Sequence, residues 1–365
     1  MQQQYIMQRQ ALIQRLEADQ RMIQTSTMPS SHQIPCASNP NSTNVGNLPR
    51  IYQPTAPQSD VTSMILDVMT SEDGSSRLQR LLLGQDVLVD PIYLISYITR
   101  DGRILTIAAK DEYGIESVKV FVDFVKQCPC MFNWVTSALE GNVVELMMHP
   151  IASKLILYCL GTLSYRQKLF IFDAATKKCL KLGKSAIGKV ILEECIKSSR
   201  DSQQRKILDR LVYHASTLSK TSKGNLVIQF ALKIGDCQFD REICRVLKNQ
   251  LEDLSTDENG SYVIEACLKS SAGEVLVRKL AEFDSDKLER LVTDRYANYI
   301  IQSALKISKG TSLYNDLARA IRRLPEELEE NFFACKVLRC IGSLEQESKN
   351  RERVRAIEAW LCCVG

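Results

Sequence analysis

Asn259-Gly260-Ser261-Tyr262-Val263-Ile264-Glu265-Ala266-Cys267-Leu268 decides how this chain is read, because it recurs. Tyr296-Ala297-Asn298-Tyr299-Ile300-Ile301-Gln302-Ser303-Ala304-Leu305 repeats it downstream, and Lys223-Gly224-Asn225-Leu226-Val227-Ile228-Gln229-Phe230-Ala231-Leu232 repeats it upstream. Each copy has a small residue, two variable residues, two aliphatics, a polar residue and an apolar pair. On a helix, positions four apart share a face. Ser261 with Glu265, Asn298 with Gln302 and Asn225 with Gln229 are therefore pairs of hydrogen-bonding side chains on one face of a helix. The residue after the first of each pair, Tyr262, Tyr299 or Leu226, adds a flat or apolar surface. A polar pair beside a stacking surface, repeated in register, suits reading unstacked bases one at a time.

Outward from this stretch, equivalent slots fall at Ser75, Ile115, Ser153, Lys189, Asn225, Ser261, Asn298 and Cys335, in steps of 40, 38, 36, 36, 36, 37 and 37 residues. Seven residues before the slot stands Leu146, Leu182, Leu218, Leu254, Leu291 or Leu328, and six after it stands Cys159, Cys195, Ala231, Cys267 or Ala304. Amphipathic segments such as 205–212 and 241–247 lie between. Each unit reads as helix, turn, helix, with the slot near the start of the second helix. One such unit cannot bury its apolar face alone, so stacking of neighbours is required.

Composition narrows the function classes. The chain has 365 residues, 45% apolar and 25% charged, with a net charge of +4, so a partner rich in phosphate would have to be met by charge gathered on one face. Several of the 13 cysteines recur at one repeat position beside small residues, as reduced packing thiols of a cytoplasmic or nuclear protein do. Cys128-Pro129-Cys130 lacks zinc spacing, so no metal is expected. Three histidines, His32, His149 and His214, form no triad or metal set. Gly183-Lys184-Ser185 ends like a phosphate-binding loop, but Lys178 stands where the first glycine belongs, and Gly183 reads as a turn. No catalytic residue and no cofactor is expected. No apolar run is long enough to span a bilayer.

Residues 1–24 carry Ile6, Leu12, Ile13, Leu16 and Ile23 in the pattern of a short amphipathic helix, marginal in water by itself. Residues 25–60 place six prolines among Ser, Thr, Asn and Gln and read as a disordered linker. The repeat domain runs over 61–345. A C-terminal capping helix is expected over 346–365, with Val354, Ile357, Trp360 and Leu361 packing over the last repeat.

A period of 36 with polar pairs four apart resembles the Pumilio (PUF) family of RNA-binding repeats, in a divergent, plant-like form with several degenerate repeats. Armadillo and HEAT repeats run longer. The resemblance implies an all-α fold, a right-handed curved α-solenoid of seven to eight PUF-type repeats behind a disordered N-terminal arm. It also implies a base code. Asn298 with Gln302 and Asn225 with Gln229 would each read uracil, Ser261 with Glu265 would read guanine, and Ser75 with Gln79 would suit adenine. Glu265 can only accept, matching guanine's N1 and N2 donors, whereas a glutamine can both donate and accept. Because family repeats run antiparallel to RNA, the three slots give 5′-UGU-3′. Tyr262, Tyr299 and Leu226 would stack.

Other slots depart from the pattern. Lys189, Val190 and Glu193 match no pair, and the lysine and glutamate fit a surface ion pair. Ser153, Lys154 and Leu157 lack the second edge. Ile115, Glu116 and Lys119 lack both. Cys335, Lys336 and Arg339 resemble a terminal cap. Lys154 and Lys189 remain candidates for phosphate contacts. The implied function is sequence-selective binding of single-stranded RNA in mRNA 3′-UTRs by a monomer, controlling translation and stability with repressor or deadenylase partners. Two other readings stay open: a less selective protein on structured or ribosomal RNA, and an α-solenoid protein scaffold without RNA.

Overall fold

The structure is a computed structural model that describes residues 58–85, 89–100 and 102–364. The amphipathic stretch expected within 1–24, and all of the expected linker except its last three residues, lie outside the described residues. Those last three residues, 58–60, open the helix Gln58–Met69. No strand occurs among the described residues. No described helix is long and apolar enough to cross a membrane.

The repeats with slots from Ile115 to Asn298 each have three helices where the sequence suggested two. The repeat around Ser261 has an outer helix Cys237–Leu247, a middle helix Leu251–Ser255 and an inner helix Glu258–Lys269. Around Asn225 the same order is Asp201–Tyr213, Ala215–Ser219 and Gly224–Leu232, and around Asn298 it is Glu274–Ala281, Ser285–Thr293 and Ala297–Ile307. The middle helix contains the leucine seven residues before the slot. Middle helices of one or two turns are too short for a 3.6-residue period to emerge from sequence.

The chain divides into two units, residues 1–158 and 159–365. In the first, inner helix Gly74–Leu82 packs on inner helix Gly114–Val125, and outer helix Pro91–Thr99 packs on outer helix Pro129–Leu139. In the second, the inner helices Ala186–Ser198, Gly224–Leu232, Glu258–Lys269, Ala297–Ile307 and Phe332–Val364 pack each on the next. Outer helices from Leu169–Lys177 to Ser312–Arg322 do the same.

Two sequence columns fill the core. Leu146, Leu182, Leu218, Leu254 and Leu291 are fully buried, and so are Cys195, Ala231, Cys267 and Ala304. Truncating one such leucine to alanine costs about 2–5 kcal/mol in other proteins. The described cysteines are free thiols. Burial pushes Cys179 up to about 12, so this thiol stays protonated near neutrality.

A third column fixes where each inner helix begins. Four residues before the slot, Asp111, His149, Ser185, Thr221, Asp257, Asp294 and Asn331 each accept hydrogen bonds from the first backbone N–H groups of the inner helix. Asp257, for example, accepts from Asn259 N at 3.0 Å and Gly260 N at 2.7 Å. These caps satisfy donors that a helix start otherwise leaves unpaired. His149 belongs to this column, and Ser185 ends the lysine-rich segment as a cap. Gly183 is not a turn but part of the middle helix Cys179–Lys184, where a Cβ would meet Leu218 of the next repeat.

The last inner helix and the tail are one element, Phe332–Val364. Leu344 is the last of its described apolar side chains to be buried. Val354 is exposed, so it does not cover the last repeat as expected. The side chains of Ile357, Trp360 and Leu361 lie outside the described residues.

Candidate nucleic-acid interface

The three matched slots occupy equivalent places on consecutive inner helices of the second unit. In each, the slot residue is buried, with Asn225 at 4%, Ser261 at 7% and Asn298 at 0% exposure. The next residue points out: Leu226, Tyr262 and Tyr299 are 40%, 56% and 54% exposed. The fourth residue on, Gln229, Glu265 or Gln302, is half-buried at the rim. This burial phase follows from the helix period. Val227 with Ile228, Val263 with Ile264, and Ile300 with Ile301 face the core, which turns the residue before them to solvent.

Both asparagine slots are wired alike. Asn225 Nδ2 donates to Thr221 O at 2.9 Å, and Asn298 Nδ2 donates to Asp294 O at 2.9 Å, in each case the carbonyl of the capping residue. Gln229 Nε2 donates to Asn225 Oδ1 at 2.9 Å, and Gln302 Nε2 donates to Asn298 Oδ1 at 3.1 Å. The two amides of each pair are thus bonded to each other, whereas their spacing alone implied two side chains pointing the same way. The asparagine anchors and the glutamine is held by it. What stays unpaired on the glutamine is Oε1 and one Nε2 hydrogen, a donor beside an acceptor. Uracil's N3–H and a flanking carbonyl present the complement.

The serine slot is wired differently. Ser261 Oγ donates to Glu258 O at 3.1 Å and makes no contact with Glu265. The Glu265 carboxylate is held from other directions. Lys269 Nζ lies 2.6 Å from Oε1, and Ser303 Oγ of the next repeat donates to the same oxygen at 3.5 Å. Neither contact was foreseen. The Lys269 pair is an i,i+4 spacing visible in sequence, whereas Ser303 is brought in by stacking. Asn259 is a third unforeseen partner, accepting from Asn225 Nδ2 at 3.1 Å across the repeat boundary.

The remaining candidates separate. Ser75 is half-buried and Gln79 exposed on the inner helix Gly74–Leu82 of the first unit, with no hydrogen bond joining them. Lys189 Nζ pairs with Glu193 at 3.2 Å, as the sequence suggested, so its charge is engaged within its own repeat. Lys154 is exposed. Glu116 pairs with Lys119 at 2.7 Å. Lys336, at the stacking position of the last repeat, packs its ammonium 4.1 Å from the Phe332 ring centroid and 5.9 Å from that of Tyr299. No cluster of His, Cys, Asp or Glu able to hold a metal occurs among the described residues.

Comparison with known proteins places this geometry. A family model described as Pumilio-family RNA binding repeat matches residues 142–174, 250–278 and 289–310. Pumilio homolog 11 of Arabidopsis thaliana is 26% identical over 152 residues, 42% of this chain and 27% of that protein. Putative pumilio homolog 8, chloroplastic, of the same plant is 27% identical over 155 residues, 42% of this chain and 29% of that protein. The matches span about a quarter of the length of these curated relatives. Among solved structures, the Puf4 RNA binding domain bound to the HO endonuclease RNA 3′ UTR recognition sequence superposes with a TM-score of 0.58 at 21% identity, over 78% of this chain and 89% of that one. The PUM-HD domain of S. pombe Puf1 in complex with RNA gives 0.62 at 14% identity, over 78% and 77%. The RNA-binding domain of yeast Puf5p bound to SMX2 RNA gives 0.61 at 19% identity, over 79% and 88%. These likenesses show the fold, an α-solenoid of stacked helical repeats. Together with the matched repeat model, they make the chain similar to Pumilio-family RNA binding repeats in those segments and to Pumilio-family domains in fold.

Proposed function

We propose that this protein binds single-stranded RNA sequence-selectively, with the slots at Asn298, Ser261 and Asn225 reading a 5′-UGU-3′ core. Gln302 and Gln229 each offer a donor beside an acceptor to a uracil edge, and Asn298 and Asn225 hold them in place. Glu265 offers a carboxylate that can only accept, steadied by Lys269 and Ser303, to the paired donors of guanine. Tyr262 and Tyr299 stack the bases, and Leu226 provides a weaker apolar surface. Base–aromatic stacking contributes about 1–3 kcal/mol per base in single-strand binding. Ser75 and Gln79 suit an adenine further 3′. Lys154, exposed and without an ion pair among the described residues, is a better phosphate contact than Lys189, which is paired.

One observation carries this reading above all. Three consecutive inner helices present the same buried, exposed and half-buried sequence at the slot, the next residue and the fourth, with edge chemistry that differs only at the middle repeat. A scaffold for protein partners would not require that phase to coincide with base-edge chemistry. Several of the fold neighbours are described as bound to 3′ UTR recognition sequences. By the same family relation, we place the protein on mRNA 3′-UTRs in the cytoplasm, controlling translation and stability through recruited repressor or deadenylase proteins. Selection of bound RNAs from a random pool tests the core claim. Enrichment of UGU is expected, and a pool enriched only for structured or purine-rich RNA would contradict it.

A further inference from the structure

Beside the slot at Asn298, the face of the inner helices opens into a groove of about 380 Å³ between Ala297–Ile307 and Phe332–Val364. Gln302, the base-edge residue, is part of its lining, so the groove adjoins the place where the first uracil would sit. Three cations line it: Lys306, Lys336 and Arg339. Lys306 and Arg339 are exposed and make no ion pair within the described residues. Its one carboxylate, Glu347, is already occupied: Lys309 Nζ lies 2.7 Å from it and holds it below the usual carboxylate range. Ser343 adds a hydroxyl. The lining is thus net positive, polar and open. It lacks the enclosing apolar walls that a small-molecule site requires.

Lys336 ties the groove to the stacking surface, since its ammonium packs against the rings of Phe332 and Tyr299 while lining the groove. A strand leaving Tyr299 would therefore pass directly over the three cations. We propose that this groove binds the phosphate backbone of the RNA immediately 5′ of the UGU core, adding affinity without reading sequence. The inference rests on the reading of the slots and on an antiparallel strand. Ammonium and guanidinium groups in a concave, exposed setting match phosphate oxygens, and the guanidinium can do so through two bonds.

The test uses the full-length chain and three RNAs: the core with its 5′ uridine first, and the core extended 5′ by two adenosines or by two cytidines. The extension is expected to tighten binding equally for both sequences. Two single-strand phosphate contacts predict that this gain shrinks about sevenfold between 50 and 200 mM salt. The paired substitutions Lys306→Gln and Arg339→Gln should abolish the gain and leave affinity for the unextended core within about twofold, since counterion release is tied to phosphates contacted. Intact core binding with no gain from the 5′ extension overturns the groove alone. A gain that depends on the added base also overturns it. Equal losses on core and extended RNAs in the variant would show that the cations serve the core, against the proposal. Failure of the wild-type chain to bind any of the RNAs would contradict the slot reading and the groove with it.

Discussion

At the scale of single residues, the proposed recognition depends on what holds the proposed reading group. Gln229 and Gln302 are each fixed by a buried asparagine, and Glu265 by Lys269 and Ser303. The pairs themselves were legible, because a polar residue at a fixed place in an apolar helix is conspicuous. The bond between the two members was not, because spacing four apart shows a shared face and not which side chain is buried. Ser303 and Asn259 were beyond sequence altogether, since they act across a repeat boundary. The stacking column carries a direct expectation. Leu226 occupies the place of Tyr262 and Tyr299 and is 40% exposed, so Leu226→Tyr has room for the ring. Binding to a UGU RNA should tighten by about 1 kcal/mol, the low end of a base–aromatic stack. Fluorescence anisotropy titration measures it. Unchanged or weaker binding by a folded variant would remove position 226 from the RNA path.

At the scale of elements, the slot depends on how closely an inner helix starts against its middle helix. The residue before the slot is Gly74, Gly114, Gly188, Gly224 or Gly260 in five repeats and Ala152, Ala297 or Ala334 in the others. At Gly260 a Cβ would lie 2.7 Å from Leu254 O and 3.1 Å from Leu254 Cα. Alanine elsewhere in the column shows that the neighbour can give slightly. A branched side chain cannot be accommodated that way. Gly260→Val should therefore destabilise the protein by about 1–3 kcal/mol, as overpacking does, and more than Gly260→Ala. Urea unfolding midpoints rank the two, and a valine variant as stable as the alanine variant would contradict the close approach. Part of this level was readable in advance: the small residue and the leucine column stood at constant offsets. The capping column also keeps a constant offset, but it draws on Asp, Asn, Ser, Thr and His, so residue identity hid it. The middle helices were too short to show a period. The unbroken helix Phe332–Val364 was missed because its hydrophobic pattern changes where the last repeat ends, although the backbone does not.

At the scale of the molecule, order is the claim. The near-constant step of 36–37 residues made the repeat fold readable from sequence, since each repeat must bury the same apolar columns against its neighbour. Specificity adds a requirement that sequence alone cannot meet: consecutive slots must be presented in the same phase. The second unit meets it over the three repeats of the proposed UGU core. A change of one slot should then change one letter and leave its neighbours alone. Ser261→Asn with Glu265→Gln makes the middle slot a copy of its neighbours. The inner helix there starts as theirs do, with Ser261 N donating to Asp257 O at 3.0 Å as Asn225 N does to Thr221 O. The new asparagine can therefore anchor on the capping residue's carbonyl and hold the new glutamine.

Competition binding of 5′-UGU-3′ against 5′-UUU-3′ RNA, on wild type and this double variant, is the most direct measurement. The wild type should prefer UGU and the variant UUU, each by about 1–3 kcal/mol, the range of a paired base-edge contact. A wild type that binds both RNAs equally would contradict the account.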